Sequence, residues 1–317
     1  MTVRSQPLNP DLSIIVVNWN TRDLLAQCLE AVAHDVETLE GATVETIVVD
    51  NASADDSVAM VRERFPWVRV VENESNLGFA RANNQAIILA GGDSLLLLNS
   101  DAILLPGSLT GLLNCIDEAG HVGAVGPTLL NADRTFQASY SRFPSVTSCF
   151  VQLLGLARRI YGPYFPSASP QDLAGLQPAD WIGGACFMIR RSAIEDVGLL
   201  DENMFMYAEE MDWCYRLGRA GWQVGYCPDV AVVHLGGASS GVVRPWVLAR
   251  QWKSQLRFMR KHHGMAEALL IRAGVGVLGV TRTLFFASLA LLWPGQRDLL
   301  LATSRANLNM ALLRTNI

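Results

Sequence analysis

The first hundred residues alternate short apolar runs with amphipathic segments, and this alternation restricts the fold more than any other feature. The apolar runs lie at 12–17, 46–49, 68–71 and 95–98, and they have the length and composition of buried strands. Apolar residues at helical spacing fill the intervals, at 21–33, 55–65 and 79–89. Strands that alternate with helices are joined by right-handed crossovers. We therefore predict an α/β fold with a mixed, mostly parallel, Rossmann-like sheet flanked by helices.

A polar cluster follows each predicted strand. The clusters are Asn18-Trp19-Asn20, Asp50-Asn51-Ala52-Ser53, residues 73–76 and Asn99-Ser100-Asp101. In a parallel sheet the carboxyl ends of the strands share one edge, and ligands bind outside that edge. The sequence therefore predicts a binding site at the C-terminal ends of these strands.

The second half of the chain is organised differently. Residues 137–180 hold five of the 13 prolines, so we expect a loop-rich insertion on the acceptor side, with one short helix at 151–160. Beyond it, the residue patterns predict further elements. These are a strand at 181–190, a helix at 209–220, a strand pair or hairpin at 224–234, and a long basic helix at 245–263.

The C-terminal segment combines basic charge with apolarity. Residues 244–317 contain eleven of the 25 basic residues and two of the 30 acidic ones. Arg272 and Arg282 interrupt the most apolar stretch, 269–293, so we predict interfacial rather than spanning helices, with the arginines at the head groups. The alternative is a helical pair packed on the domain or on a second subunit, as in a homodimer. The predicted division is a domain at 1–243 and a helical extension at 244–317.

Cysteine usage and the N-terminus bear on the compartment. None of the six cysteines belongs to a C-x-x-C pair, and several lie in apolar runs, so we expect reduced thiols in a reducing compartment. Residues 1–11 lack the apolar core of a secretory signal, so we expect a cytoplasmic protein. The basic residues form no uniform patch of the kind that binds nucleic acid.

Two of the strand-end clusters carry carboxylates. Asp50 can accept hydrogen bonds from a base or a ribose hydroxyl, but it can equally cap the next helix. Asp101, in Asn99-Ser100-Asp101, would suit Mg²⁺ or Mn²⁺ on a diphosphate, because hard cations share oxygen ligands with phosphates. Turn chemistry also favours Asn, Ser and Asp, so this short motif leaves both interpretations open.

Residues 76–84 have features of an anion site. Asn76 and Gly78 precede a predicted helix that contains Arg81 and Asn84. Gly78 permits close backbone approach, the helix N-terminus favours anions, and Arg81 adds a permanent positive charge. An ordinary surface helix start explains the glycine but not the density of Asn and Arg.

Carboxylates also cluster at the predicted helix 209–220. Glu209, Glu210 and Asp212 lie in its first turn, where the helix dipole favours acids. Clustered like charges raise the pKa of one member, which favours a general base near neutral pH.

Three other features complete the candidate set. Trp181 and the pair Gly183-Gly184 provide an aromatic platform and an open backbone, as in many sugar sites, although Trp181 can also be a core residue. His234 ends a predicted strand, and a lone histidine is more often structural until a metal or another partner is found for it.

Taken in order, these segments resemble the family 2 glycosyltransferases with a GT-A fold, from residue 12 to about 237. "VVNWN", "VVDNASADDS", "NLGFARANNQAI" and "LLLLNSDAIL" resemble the family's first strand end, donor-binding segment, following helix and metal-binding position. "WIGGACFMIRRSAIEDVGLLDENMFMYAEEMDWCYRLGRAGW" resembles its acceptor segment, and this long match is highly specific. The "NWN", "NSD" and "YAEEMDW" variants are most similar to the rhamnosyltransferase-like branch, which acts in cell-wall and surface-polysaccharide synthesis.

The resemblance implies a role for each matching residue. The donor nucleotide would contact Asp50 with Asn18, Asn20 and Asn51, and its diphosphate side would contact Arg81 with Asn76, Gly78 and Asn84. Asp101 would bind a divalent cation, Mg²⁺ or Mn²⁺, beside Asn99 and Ser100, with His234 as the second protein ligand. Glu210 would be the catalytic base, and Trp181, Gly183, Gly184, Glu209 and Asp212 would bind the acceptor.

Two residues depart from the family pattern. Asn99 replaces an acid, which predicts weaker metal binding or a greater dependence on the donor phosphates. Glu210 replaces an aspartate, which lengthens the base by one methylene group.

The resemblance thus implies an inverting, metal-dependent glycosyltransferase, peripheral at the inner face of the plasma membrane. It would move a sugar from a nucleotide-diphosphate donor to a hydroxyl of a glycan or lipid-linked acceptor. Thymidine-diphosphate L-rhamnose is the favoured donor, and a uridine-diphosphate sugar is the alternative. Two other classes stay open: a nucleotidyltransferase, which would release pyrophosphate, and a non-catalytic nucleotide-sugar-binding or scaffold protein.

Overall fold

The computed structural model describes residues 10–165, 167, 174–204, 207–236 and 245–313. Its strands are β1 Leu12–Asn18, β2 Val44–Asp50, β3 Arg69–Glu72, β4 Ser94–Asn99, β5 Ala102–Leu104, β6 Val122–Leu130, β7 Phe136–Gln137, β8 Tyr140–Ser141, β9 Gln177–Pro178, β10 Trp181–Ile182, β11 Cys186–Arg190 and β12 Gln223–His234. Its helices are α1 Arg22–Glu37, α2 Ser57–Arg64, α3 Phe79–Leu89, α4 Ser108–Asp117, α5 Val146–Leu153, α6 Ala157–Tyr161, α7 Arg191–Val197, α8 Glu209–Arg219, α9 Pro245–His262, α10 Met265–Leu292 and α11 Arg297–Ala311.

One mixed sheet organises most of these strands, in the order β3-β2-β1-β4-β11-β6-β12-β5. Strands β1 to β4 are mutually parallel, and β6 is parallel to β12, whereas β11 runs antiparallel to both β4 and β6. The C-terminal ends of β1, β2, β4, β6 and β12 therefore share one edge. This is the mostly parallel α/β arrangement that the sequence predicts, and the polar clusters lie on the shared edge.

The sheet is buried on both faces, which explains why its strands are continuous apolar runs. Alternate residues point to opposite layers, so Leu96 and Leu98 join one core and Leu95 and Leu97 join the other. Helices α1, α2 and α4 cover the first layer. Helices α3, α7 and α8 cover the second, where Trp213 stacks on Phe187 with ring centroids 5.6 Å apart.

Two strand predictions are wrong. The strand predicted at 181–190 is two strands, because the turn at 183–185 separates β10, which pairs with β8, from β11 in the main sheet. The strand pair predicted at 224–234 is one strand of 12 residues. Its ladder shifts register between Cys227 and Ala231, so Pro228 lies in a bulge rather than in a turn.

The sequence patterns also missed several elements. Strands β5 and β6 and helix α4 were not predicted, although β6 lies near the centre of the sheet. The single short helix predicted at 151–160 is two helices, α5 and α6, because Gly155 takes a positive φ between them.

The chain divides into two compact units. The first contains residues 1–143, 164–205 and 209–239, and the second contains 144–163, 206–208 and 240–317. Helices α5 and α6 of the predicted insertion thus belong with the C-terminal helices. The domain boundary predicted at 243/244 falls among residues 237–244, which lie outside the described residues.

Close helix packing holds the second unit together. A side chain at Gly279 would come within 2.6 Å of Ala311 Cβ, and one at Gly274 would come within 2.7 Å of Phe150. These glycines therefore let α11 and α5 approach α10. The Arg282 guanidinium donates to the Leu153 carbonyl at 2.8 Å, which links α10 to the end of α5. The head-group position expected for Arg282 stays a prediction.

Helix α10 is one continuous, apolar helix of 28 residues, most of which is not buried. By length and composition it is able to cross a membrane. All six cysteines are free thiols, and all but Cys115 are buried.

Candidate active site

The ends of β1 and β2 form the first part of the site. Asn18 pairs with Asp50 in the ladder, and its Nδ2 donates to Asp50 Oδ2 at 2.8 Å. The other oxygen of Asp50 accepts from the Ser53 amide at 2.8 Å. Asn18 is fully buried, and its Oδ1 accepts from Thr21. Asn18 therefore orients Asp50, and the contact with the donor nucleotide expected for Asn18 stays a prediction.

Neighbouring amides extend this polar layer. Asn20 takes a positive φ of 53°, and its Oδ1 accepts from the Ala54 amide at 2.7 Å. Asn51 is buried, and its Oδ1 accepts from Asn73 Nδ2 at 2.9 Å. These bonds fix the loop after β2 against the loops after β1 and β3.

The start of α3 is organised by Asn76 and Gly78. Asn76 Oδ1 accepts from the Gly78 amide at 2.9 Å, and Gly78 takes a φ of 83° that favours glycine. Arg81 Nε lies 3.2 Å from Glu202 Oε2, and both side chains are about half exposed. Asn84 is buried and exchanges two hydrogen bonds with the Leu200 backbone, at 2.9 and 3.1 Å. Asn84 therefore tethers the segment that leads to α8, and the donor contact expected for it stays a prediction.

The turn after β4 meets the end of β12. Asp101 Oδ1 lies 3.3 Å from His234 Nε2, and Asn99 Nδ2 lies 3.3 Å from the same nitrogen. Strand β5, which follows Asp101, pairs with β12 so that Ala102 is opposite His234. Ser100 is buried, and its hydroxyl contacts that of Thr21 at 2.8 Å. The topology thus brings the two predicted metal ligands together.

This pair fits a divalent cation that is also bound by the substrate. Two neighbouring ligands of an octahedral ion at about 2.1 Å are about 3 Å apart, close to the observed separation of Asp101 and His234. The described residues contain no cluster of three His, Cys, Asp or Glu side chains that would hold a metal alone. Two protein ligands leave coordination positions for phosphate oxygens, as hard cations at nucleotide sites commonly have.

Two carboxylates begin α8, Glu209 buried and Glu210 half-buried. Burial raises the pKa of Glu210 to about 7. Burial, and then the neighbouring charge of Glu210, raise the pKa of Glu209 well above its usual range. The Oε2 atoms of both side chains are buried and have no hydrogen-bond partner among the described residues. Glu210 therefore has the proton affinity that a general base needs near neutral pH.

The turn between β10 and β11 connects Glu210 to the rest of the site. A Cβ atom built on Gly184 would lie 3.9 Å from Glu210 Cβ and 3.7 Å from the ring of Phe79, which follows Gly78. The next carbonyl, that of Ala185, accepts from the Asn99 amide at 2.9 Å. One short turn thus contacts the base candidate, the start of α3 and the end of β4.

The other acceptor-side candidates differ in exposure. Trp181 is partly exposed, and its Nε1 donates to the Arg142 carbonyl at 3.0 Å. The Gly183 amide donates to the Ser139 carbonyl at 2.9 Å. Asp212 is fully buried, and its Oδ2 accepts from Arg216 Nε at 2.8 Å. Asp212 thus has an ion-pair partner within α8, and the acceptor contact expected for it stays a prediction.

Some residues of the site were not predicted. Arg216 lies inside the acceptor segment that resembles the family, but no role was predicted for it. Arg216 donates to the Leu199 carbonyl at 2.8 Å, so with Asp212 it fixes the segment before α8. Gln137 contacts His234 at 2.6 Å, although it lies in the loop-rich insertion, where no periodicity marks it. The Thr21 hydroxyl links the ends of β1 and β4, because it contacts both Asn18 and Ser100.

Comparison with known proteins agrees with this geometry. The family described as "Glycosyl transferase family 2" matches residues 13–198. An N-acetylglucosaminyl-diphospho-decaprenol L-rhamnosyltransferase of Mycobacterium tuberculosis is 31% identical over 271 residues, covering 80% of this chain and 85% of that protein. The rhamnosyltransferase WbbL of Escherichia coli is 25% identical, over 70% of this chain and 82% of that protein.

The fold is also similar to that of solved glycosyltransferases. A mannosyltransferase of Pyrobaculum calidifontis, solved with GDP-Man and Mn²⁺, superposes with a TM-score of 0.57 at 17% identity. That superposition covers 97% of this chain and 88% of the other. The mixed sheet and its structural neighbours thus define a GT-A-type fold. The chain belongs to glycosyltransferase family 2, and it is a glycosyltransferase with rhamnosyltransferase homologues.

Proposed function

We propose that this glycosyltransferase moves a sugar from a nucleotide-diphosphate donor to an acceptor hydroxyl, with inversion at the anomeric carbon. The observation that carries the proposal is the separation of 3.3 Å between Asp101 Oδ1 and His234 Nε2 at the ligand-binding edge of the sheet. These residues would hold Mg²⁺ or Mn²⁺. A cation bound there would supply positive charge that stabilises the leaving nucleotide diphosphate.

Residues around Asp50 would bind the nucleoside. Asp50 is fixed by Asn18 and by the Ser53 amide, yet each of its oxygens keeps a second lone pair for a ribose or base donor. Asn20 and Asn51 would flank it. A carboxylate held in one orientation before the ligand arrives loses little conformational entropy on binding.

Arg81 would contact the diphosphate. Its ion pair with Glu202 lies at the surface, and exposed pairs contribute only about 0.2–1 kcal/mol. Arg81 can therefore replace its contact with Glu202 by a contact with a doubly charged diphosphate at a small cost in free energy. The N-terminus of α3, opened by Gly78, adds backbone N–H groups of the kind that favour anions.

Glu210 would act as the base. Its carboxylate would remove the proton of the acceptor hydroxyl while that oxygen attacks the anomeric carbon from the face opposite the diphosphate. Because no covalent intermediate forms, one displacement inverts the configuration, as in inverting glycoside hydrolysis with water as the nucleophile. Gly184 would leave room for the acceptor between Glu210 and Phe79.

The sugar and acceptor follow from the relatives alone. The 31% identical homologue is named for L-rhamnose and for a decaprenyl-diphosphate-linked N-acetylglucosamine. We extend this to thymidine-diphosphate rhamnose as the donor and a polyprenyl-diphosphate-linked sugar as the acceptor, in cell-wall or surface-polysaccharide synthesis.

A lipid-linked acceptor would explain the second unit. Every exposed residue of α10 is uncharged, and these residues recur at helical spacing along about 40 Å of helix. They are Met265, Ala266, Leu269, Leu270, Ala273, Val277, Val280, Thr281, Leu284, Phe285, Ser288, Leu291 and Leu292. The same unit holds thirteen of the 25 basic residues and two of the 30 acidic ones. An apolar stripe within a basic unit suits the surface of an anionic membrane on the cytoplasmic side.

A thermal-shift panel tests the donor and the cation together. Nucleoside diphosphates and their sugars are each added with and without Mn²⁺. A ligand that binds only the folded protein stabilises it by about 2.7 kcal/mol at about 100 times its Kd. We expect a Mn²⁺-dependent shift with thymidine diphosphate and its sugars. A shift with uridine diphosphate alone would indicate that the donor is a uridine-diphosphate sugar. The absence of any Mn²⁺-dependent shift would contradict the cation site.

A further inference from the structure

The orientation of the Gln137 amide is determined by groups that cannot reverse their roles. Gln137 Nε2 lies 3.0 Å from the His234 carbonyl oxygen and 2.9 Å from Asn131 Oδ1. The amide of Asn131 is itself oriented, because its Nδ2 donates to the Phe136 carbonyl and to the Thr135 hydroxyl. Carbonyl oxygens only accept. The nitrogen of Gln137 must therefore face Asn131, and its oxygen must face the ring of His234.

This orientation assigns the proton on the imidazole of His234. Gln137 Oε1 lies 2.6 Å from His234 Nδ1. Since an amide oxygen has no proton to give, Nδ1 must carry the hydrogen and donate it. In the neutral ring the lone pair is then on Nε2, the nitrogen that lies 3.3 Å from Asp101 Oδ1.

The surroundings of Nε2 agree with that tautomer. Asn99 Nδ2, a donor, lies 3.3 Å from Nε2 and can give its proton to the lone pair. The carboxylate of Asp101 is an acceptor on the other side. In the neutral Nδ1–H ring, the Nε2 lone pair and the Asp101 carboxylate are two acceptors with no proton between them, an arrangement that a bound cation would stabilise, whereas the opposite tautomer would direct an N–H group into that space.

Gln137 is held firmly enough to serve this purpose. Strand β7 pairs with β6, with Gln137 opposite Leu129, and the connecting turn is closed by a hydrogen bond from the Asn131 amide to the Thr135 carbonyl at 2.8 Å. Gly236 takes a φ of 63°, and a Cβ atom there would lie 3.5 Å from Gln137 Nε2. The chain therefore folds back closely around this side chain.

We infer that Gln137 is a positioning residue that fixes His234 in the Nδ1–H tautomer and aims its Nε2 lone pair at Asp101. This inference rests on the proposed cation site. Partners beyond the first ligands commonly orient a histidine ligand in this way, and their loss typically lowers metal affinity 10- to 100-fold.

The test combines a spectroscopic measurement with a binding measurement on the full chain. In ¹⁵N-histidine NMR of the wild-type protein without metal, recorded at a pH where the ring is neutral, His234 should show a protonated Nδ1 and an unprotonated Nε2, with its signals assigned by their loss in His234→Asn. A protonated Nε2 in the neutral ring of the wild-type protein would overturn the inference without any variant of Gln137.

Binding of Mn²⁺, measured with and without thymidine diphosphate, provides the second readout. Gln137→Leu should weaken Mn²⁺ binding 10- to 100-fold, whereas Gln137→Glu should restore most of it, because its carboxylate still accepts from Nδ1. Gln177→Leu removes a comparable amide that donates to the Ala174 carbonyl, and it should bind Mn²⁺ like the wild type. Wild-type affinity in a folded Gln137→Leu would contradict the inference. If the wild-type protein itself bound no Mn²⁺, the proposed cation site would be contradicted. The NMR measurement would then still show whether Gln137 fixes the tautomer of His234.

Discussion

Asp101 and His234 are distant in the sequence, yet Asp101 Oδ1 and His234 Nε2 are 3.3 Å apart. The backbone fixes this relationship. The Leu235 amide donates to the Asp101 carbonyl at 3.0 Å, and Ala102 pairs with His234 between β5 and β12. A chain that crosses from the end of β4 to the edge strand β5 must pass the end of β12. The candidate cation site is therefore a consequence of the strand order.

The first prediction concerns Asp101. Asp101→Asn removes the only carboxylate of the Asn-Ser-Asp turn, so it should abolish Mn²⁺-dependent donor binding and lower kcat about 10²- to 10³-fold. The measurements are donor titration with Mn²⁺ and steady-state turnover. Asp93→Asn changes an exposed carboxylate elsewhere in the same unit and should leave both unchanged. Equal losses in the two variants would contradict the role of Asp101.

The second prediction concerns pH. Burial raises the pKa of Glu210 to about 7, and a base acts only when it is deprotonated. With saturating substrates, the transfer rate should therefore rise with pH and reach half of its plateau near pH 7. Glu210→Gln should bind the donor normally and lose this turnover. A rate that is flat between pH 5 and 8 would exclude Glu210 as the base.

The third prediction concerns the stability cost of that base. The folded pKa of Glu210 is raised, so the folded state binds its proton more tightly than the unfolded state, and stability falls as pH rises from about 4.5 to about 7. Above pH 7 the cost is complete, at most about 3 kcal/mol. Glu210→Gln should therefore raise Tm at pH 8 by several degrees and change it little at pH 4. The same difference in Tm at both pH values would contradict the raised pKa.

The fourth prediction separates a scaffold residue from a ligand-binding residue. Asp212→Ala leaves Arg216 without its buried partner and should cost about 2–4 kcal/mol of stability. Arg81→Ala removes an exposed ion pair, so it should cost less than about 1 kcal/mol while weakening donor binding. Denaturant unfolding and donor titration of both variants check this. A large loss of stability in Arg81→Ala, together with weakened donor binding in a stable Asp212→Ala, would contradict these roles.

The fifth prediction concerns the α10 stripe. Val277→Glu and Leu284→Glu place a charge on its exposed, apolar face, where both residues are more than 60% exposed. Each should reduce co-flotation with anionic phospholipid vesicles. Ile88→Glu changes an equally exposed apolar residue of the first unit and should have no effect. A different result would contradict membrane contact: the wild type binds no vesicles but forms dimers in solution, and Val277→Glu dissociates them. The stripe would then be an interface with a second copy of the chain.

The sequence predicts the parallel part of the sheet well, because strands buried on both faces must be continuous apolar runs. Helix α3 begins at Phe79 and ends at Leu89, as the periodicity predicts. The pattern fails where short strands pair with distant ones. Strand β5 has three residues, and β10 has two, so neither has enough residues to show a period.

The candidate site, like the fold, was predictable from the sequence only in part. Positions beyond strand ends were predictable because a parallel sheet gathers them on one edge, as with Asp50 and Asp101. The burial of individual polar side chains was not predictable, because it depends on packing between segments that are distant in the sequence. Asn84 and Asp212 were predicted from the sequence as ligand contacts, but their hydrogen bonds to Leu200 and Arg216 within the protein could not be predicted. Gln137 had no pattern at all, and only the fold brings it to His234.

The most direct test of the account is product analysis. Wild-type protein and Glu210→Gln are incubated with thymidine-diphosphate rhamnose, Mn²⁺ and a polyprenyl-diphosphate-linked N-acetylglucosamine acceptor, and the released nucleotide and the new glycosidic bond are measured by mass spectrometry and NMR. The account predicts one thymidine diphosphate per rhamnose transferred, inverted configuration, and no product from Glu210→Gln. Retained configuration, or full turnover by Glu210→Gln, would contradict it.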